Sequence, residues 1–146
     1  MLRVLFICIG NACRSPMAEA IARRDAADVM EAASAGIAPL GFIAKQTELT
    51  LTENGYSSDD LKSKPVAREV WEAADLIINM TGRSWERVFP IPGRIQDWKV
   101  DDPYGEDAEV YQRIFEQIRK RVAALAETLR EQKQAVAAKD SQRNRD

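Results

Sequence analysis

The start of the chain constrains it most. Leu2-Arg3-Val4-Leu5-Phe6-Ile7 is a nearly continuous apolar run of strand length, the pattern of a central parallel strand covered on both faces. It runs directly into Cys8-Ile9-Gly10-Asn11-Ala12-Cys13-Arg14-Ser15-Pro16 and then into an alanine-rich segment from Met17. Ser15 followed by Pro16 suits a helix start, with Ser as N-cap and Pro at the first helical position, where its missing N–H costs nothing. Strand, loop and helix therefore follow in that order, with the helix expected to reach about Val29.

The rest of the chain repeats this alternation. Glu31 to Ala35 reads as a short strand stopped at Gly36. Residues 37–45 hold Pro39 and Gly41 and show no period, so a loop is expected. Thr47 to Glu53 is a weak helix closed by Asn54-Gly55, a C-terminal stop signal. After a turn-like stretch, Pro65 opens a short helix through Trp71. Ala73 to Met80 is the second clear buried strand, broken by Thr81-Gly82. Ser84 to Val88 reads as a helical turn and Arg94 to Trp98 as a last short strand. Val100 to Gly105 is a loop by composition. Val110, Ile114, Ile118, Val122, Leu125 and Leu129 recur at helical spacing, predicting an amphipathic helix from about Ala108 to Arg130.

The expected fold is a single α/β domain with an open, mostly parallel four-stranded sheet and helices on both faces, spanning residues 1–131. Residues 132–146 are polar and are expected to form a disordered tail. With 146 residues, 45% of them hydrophobic, the chain can build one sizeable core and has no room for a second domain. The apolar start is too short for a membrane span and lacks a signal-peptide cleavage site, so a cytoplasmic protein without a membrane partner is expected. A net charge of −2 gives no basic field to attract nucleic acid.

The chain has two cysteines, Cys8 and Cys13, and no histidine. That excludes Ser-His-Asp and Cys-His catalysis and Cys/His zinc sites, so any proton donor is a carboxylate, Tyr or Lys. Ligands of open parallel sheets bind at the carboxyl ends of the strands, where the loop after the first strand lies. Backbone N–H groups of Ile9, Gly10, Asn11, Ala12, Cys13, Arg14 and Ser15, leading into a helix N-terminus, favour a phosphate dianion. Gly10 permits close backbone approach and Arg14 offers a planar fork for two oxygens. A thiol in such surroundings tends towards the thiolate, which makes Cys8 the candidate nucleophile, attacking phosphorus to give a phosphocysteine that water hydrolyses. Residues 1–7 contain no carboxylate, so the general acid must come from elsewhere. Among Asp97, Asp101, Asp102 and Asp107, Asp102 is favoured, because Pro103 rigidifies its loop and Tyr104 supplies an aromatic wall.

Val4 to Ala20, with its Cys-x5-Arg-Ser core, resembles the N-terminal signature of the low-molecular-weight protein tyrosine phosphatases, and Asp102-Pro103-Tyr104-Gly105 resembles their acid loop. Ser34-Ala35-Gly36 and Ala74-Asp75-Leu76-Ile77 match lesser landmarks in order, so the resemblance covers about Met1 to Leu129. It implies a phosphomonoesterase acting on phosphorylated proteins or peptides, with no cofactor and no metal. Cys8 would be the nucleophile, Arg14 the phosphate clamp, Asp102 the acid, and Asn11 and Ser15 the residues that hold the loop and orient the thiolate. Cys13 would match a second loop cysteine able to form a reversible disulfide with Cys8. This chain departs from the pattern at Ile37-Ala38-Pro39-Leu40, where an aromatic wall is usual, at Ala12, and at the single Tyr104 before Gly105. Leu40 and Tyr104 are the expected substrate walls. Protein arginine phosphatase, arsenate reductase using an external thiol, and a non-enzymatic phosphate-binding or redox-sensing module remain as alternatives. Trp71, Trp85 and Trp98 read as core or rim aromatics, and Lys62, Lys64 and Arg68 as a solvated face.

Overall fold

The computed structural model describes residues 1–84 and 94–143. Four strands form one sheet: β1 (Leu2–Cys8), β2 (Met30–Gly36), β3 (Leu76–Asn79) and β4 (Ile95–Asp97). Four helices accompany them among the described residues: α1 (Arg14–Asp25), α2 (Lys45–Glu53), α3 (Arg68–Ala73) and α4 (Ala108–Arg143). The strands are ordered β2-β1-β3-β4 and every pair is parallel. The chain leaves β1 for β2 on one side and then crosses to β3 on the other, so the topological switch lies beside the carboxyl end of β1, where such sheets bind ligands. The helical turn and Trp85 expected within Ser84 to Val88 fall largely outside the described residues.

The alternation of side chains along β1 explains the layering. Val4, Phe6 and Cys8 join the larger core, with Met17 and Ile21 of α1, Leu51 of α2, and Ile114, Phe115, Ile118 and Val122 of α4. Leu5 and Ile7 face the opposite way into a smaller core with Ile77 and Ala74, against which Trp71 of α3 and Val66 pack. Helices therefore cover both faces, which is why β1 is apolar at nearly every position. Phe6 stacks obliquely on Trp98, with ring centroids 5.8 Å apart, tying β1 to the segment after β4.

Several boundaries differ from expectation for local reasons. The first helix begins at Arg14, with Cys13 at the N-cap, and Ser15 makes no capping bond. Its hydroxyl is engaged elsewhere. Asn54-Gly55 does stop α2, with Gly55 at φ +83. The expected disordered tail is instead helical to Arg143: α4 has 36 residues, about 54 Å at 1.5 Å per residue. Residues 132–143 contain no Gly or Pro and are rich in Ala, Gln and Lys, so they extend an established helix without a nucleation cost. Arg130 anchors the start of this extension, donating to both carboxylate oxygens of Asp28 at 2.8 and 2.9 Å.

Gly36 closes β2 against the loop after β1. A Cβ there would meet Ile9 O at 2.8 Å, and the Cβ and backbone N of Asn11 at 2.9 Å, none of them the end of a flexible side chain. Gly36→Ala is therefore expected to lower stability by about 1–3 kcal/mol in denaturant titrations and to weaken inorganic phosphate binding at the same time; a variant with unchanged stability would show that the loop can shift freely.

Candidate active site

The loop from Cys8 to Arg14 is held from outside by its carbonyl oxygens. Ile37 N–H donates to Cys8 O at 3.3 Å, Ala38 N–H to Ile9 O at 2.9 Å, Leu40 N–H to Gly10 O at 3.0 Å and Ala44 N–H to Ala12 O at 3.1 Å. The hydroxyls of Thr47 and Ser63 donate to Ala12 O at 2.8 Å and to Gly10 O at 3.0 Å. In contrast, the backbone N–H groups of Ile9 to Ser15 have no protein acceptor among the described residues. Carbonyls satisfied outward and N–H groups left free at a helix start make an anion-binding concavity.

Asn11 makes the loop turn and ties it to the nucleophile. It is fully buried and sits at φ +47, a left-handed conformation that Asn tolerates better than most residues. Its Nδ2 donates to Ser15 Oγ at 2.8 Å and to Ser34 Oγ at 3.0 Å, and its Oδ1 accepts from Lys64 N–H at 3.0 Å. Ser15 Oγ, already accepting from Asn11, has one proton to give. Cys8 Sγ lies 3.0 Å from this hydroxyl, and Ala35 O accepts from it at 3.5 Å. Behind Asn11, Ser34 donates to Glu19 Oε1 at 2.5 Å, and Arg23 Nη2 neutralises the buried Glu19 carboxylate at 2.6 Å. A continuous polar chain thus runs from Glu19 through Ser34, Asn11 and Ser15 to Cys8, with every link buried.

Arg14 lies across the ends of the other strands. Its side chain is 5% exposed, and Nη1 donates to Met80 O at 2.6 Å and to Val100 O at 3.0 Å. Those bonds fix the guanidinium plane and leave its Nε and Nη2 for a ligand. Nε is buried without a hydrogen-bond partner among the described residues, an arrangement that normally costs about 1–3 kcal/mol. Nη2 lies 3.7 Å from Asp102 Oδ2. An edge of two parallel N–H donors matches two oxygens of a tetrahedral oxyanion.

Cys8, Arg14 and Asp102 line one cavity of about 110 Å³, with Ile9, Gly10, Ala12, Cys13, Ala38, Leu40 and Tyr104. Of the four aspartates considered from sequence, Asp102 alone reaches it. Asp97 accepts from Asn79 Nδ2 at 2.9 Å and Asp107 from Val110 N–H at 3.0 Å, while Asp101 does not line the cavity. Asp102 stays half exposed, and its Oδ1 accepts from Tyr104 N–H at 3.1 Å across the buried Pro103. Leu40 and Tyr104 both line the cavity. Ala38 is a lining residue that sequence reasoning did not single out. Lys64 is not a simple solvated residue: it is partly buried 3.9 Å from Glu19, burial lowers its pKa, and its backbone caps Asn11. Cys13 is buried with Tyr111 Oη 3.3 Å from its sulfur.

Thiol, clamped guanidinium and carboxylate share a small oxyanion-sized cavity at the switch point of a parallel sheet, the arrangement of a cysteine-centred enzyme of oxyanion chemistry. Sequence comparison narrows the class: the chain belongs to the low molecular weight phosphotyrosine protein phosphatase family, whose profile matches residues 3–135. Among its relatives, arsenate reductase 1 of Bacillus cereus is 31% identical over 127 residues, covering 86% of this chain and 94% of that protein. The protein-arginine-phosphatase of Bacillus subtilis is 30% identical over 146 residues, with 87% and 96% covered. The crystal structure of a low molecular weight protein tyrosine phosphatase from T. tengcongensis superposes with a TM-score of 0.80 at 31% identity, over 88% of this chain and 99% of that one. The chain is thus an enzyme of the low molecular weight phosphatase family, and such enzymes act on phosphorylated substrates.

Burial pushes the Cys13 thiol above its ordinary pKa. A raised pKa leaves less thiolate at any given pH, and the thiolate is the reactive form. In Cys8→Ser protein, iodoacetamide is therefore expected to alkylate Cys13 markedly more slowly than free glutathione between about pH 7 and 9; equal rates by mass spectrometry would contradict this environment.

Proposed function

We propose that the chain hydrolyses phosphotyrosine in proteins or peptides through a phosphocysteine on Cys8, with Asp102 as general acid and then base. The phosphoryl group sits on the free N–H groups of Ile9 to Ser15 and on the Nε/Nη2 edge of Arg14. Cys8 Sγ attacks phosphorus in line while the Ser15 hydroxyl steadies the sulfur. The P–O bond to the leaving group breaks, and Asp102 gives that oxygen its proton. In the second step the Asp102 carboxylate takes a proton from the attacking water, the P–S bond breaks, and inorganic phosphate and the Cys8 thiolate are released. The sum is ester plus water to alcohol plus phosphate.

The observation that carries this reading is the buried, partnerless Nε of Arg14 in the same cavity as Cys8 and Asp102. A charge held in this way is oriented before the reaction begins, so it needs little reorganisation as the phosphoryl group transfers. The apolar and aromatic walls, Leu40 and Tyr104, support an aryl leaving group. The cytoplasm, where thiols stay reduced, is the compartment this chemistry asks for.

Relatives named arsenate reductase and protein-arginine-phosphatase make those two activities the competing readings. With Cys8 and Cys13 as its only cysteines, the chain would need an external thiol to reduce arsenate. Parallel assays separate the three. Turnover of a phosphotyrosine peptide is expected to exceed that of the matching phosphoarginine peptide and of arsenate with glutathione; a preference for either of the latter would overturn the tyrosine assignment.

Two variants test the roles. Cys8→Ser is expected to abolish turnover. Asp102→Asn should slow phenyl phosphate by about 10²–10⁴-fold and p-nitrophenyl phosphate much less, because nitrophenolate leaves without a proton; equal losses on both esters would remove Asp102 from the acid role.

A further inference from the structure

The wall of the cavity is built on a loop that touches the phosphate-binding loop at intervals. After Ala38 and Leu40, the next backbone bond to that loop is made by Ala44, so residues 41–43 make no backbone bond to it. Gly41 opens this stretch at φ +86, and its N–H makes no bond to the phosphate-binding loop. That N–H donates instead to Ser63 Oγ at 3.0 Å. The same hydroxyl gives its proton to Gly10 O at 3.0 Å. One oxygen therefore joins three segments: the phosphate-binding loop at Gly10, the wall loop at Gly41, and the strap at residues 63–65.

The strap is itself fixed. Lys64 N–H donates to Asn11 Oδ1 at 3.0 Å, Gly36 N–H donates to Lys64 O at 2.9 Å, and Val66 N–H donates to Gly36 O at 3.1 Å. Ser63 thus stands on a rigid base and reaches the residue next to Leu40. Leu40 Cγ in turn lies 3.1 Å from the place a Cβ on Gly10 would occupy. A side chain with one donor and an acceptor on the same short stem satisfies both partners, which Ala cannot do and a longer amide would overshoot.

We propose that Ser63 is a positioning residue for substrate selection: by bridging Gly10 and Gly41 it sets the height of the Leu40 wall, and so the fit of the leaving group, without touching the phosphoryl group. This rests on the reading of the cavity as a phosphomonoester site. It separates two parts of affinity. The phosphoryl part is held by Arg14 and the loop N–H groups, whereas the leaving-group part depends on where Leu40 stands.

The test is titration calorimetry of wild type, Ser63→Ala and Ser63→Thr with phenylphosphonate and with inorganic phosphate, alongside the KM of each protein for p-nitrophenyl phosphate. Ser63→Ala is expected to weaken phenylphosphonate binding, and to raise KM, by about five- to tenfold, the usual net worth of a neutral hydrogen bond, while phosphate affinity falls clearly less, because Gly10 O keeps its bond from Leu40 N–H. Ser63→Thr, which keeps the hydroxyl, should restore most of the loss. Unchanged phenylphosphonate binding in Ser63→Ala overturns the proposal. So does a parallel loss of phosphate affinity, which would mean that Ser63 only stabilises the phosphate-binding loop. Wild-type protein that binds both ligands but turns over no ester would sink the phosphatase reading and leave the Ser63 comparison standing, because binding alone reports it.

Discussion

The structure depends on where the carbonyl oxygens of Cys8, Ile9, Gly10 and Ala12 are satisfied. Each accepts from a backbone N–H outside the loop, that of Ile37, Ala38, Leu40 or Ala44, and the hydroxyls of Thr47 and Ser63 add second bonds to Ala12 O and Gly10 O. A short loop with its carbonyls engaged on the outer side has its N–H groups left for an anion on the inner side. The supporting features follow from that arrangement. Gly36 must lack a side chain because the loop passes against its Cα. Asn11 must take a left-handed turn, and a fully satisfied side chain holds it there. The parallel sheet brings these pieces together, since β1 and β2 end side by side at Cys8 and Gly36.

Arg14 links this loop to the far half of the sheet. A buried guanidinium is costly unless its donors are satisfied, and two carbonyls beyond β3 and β4, those of Met80 and Val100, meet part of that need. The unmet part is the buried Nε, while Nη2 lies 3.7 Å from Asp102, and Arg14 lines the cavity with Cys8 and Asp102. The same contacts that hold the strand ends in register therefore prepare the charge for a ligand. The folding requirement and the binding requirement fall on the same atoms, which is why the cavity lies at the switch point and nowhere else along the sheet edge.

Much of this was legible in the sequence. The unbroken apolar run of β1, the Cys-x5-Arg spacing and the helical period of α4 each reflect a physical demand that repeats or clusters locally. That Asp102, of the four aspartates, would lie with Cys8 and Arg14 was legible from the Pro103 that fixes its loop. Other features were not. Ser15 read locally as a helix cap, and only the family resemblance put it beside the thiol; its hydroxyl is held by Asn11 beside the Cys8 sulfur, a contact across the loop that outweighs the local preference. Ser63, Lys64, Met80 and Val100 act largely through single hydroxyl or backbone groups brought from distant segments, which carry no motif. The tail past Gln132 read as disordered from its polarity, yet it continues as helix, because a polar sequence without Gly or Pro extends a helix already formed.

The central claim is that Cys8 carries the phosphoryl group between two displacements. Acid quenching of the enzyme during turnover of an aryl phosphate, followed by peptide mass spectrometry, tests it directly. The account predicts one phosphoryl group on the peptide beginning at Val4 and containing Cys8, located on that sulfur. A phosphoryl group on another residue, or rapid product formation with Cys8 unmodified at every quench time, would contradict it.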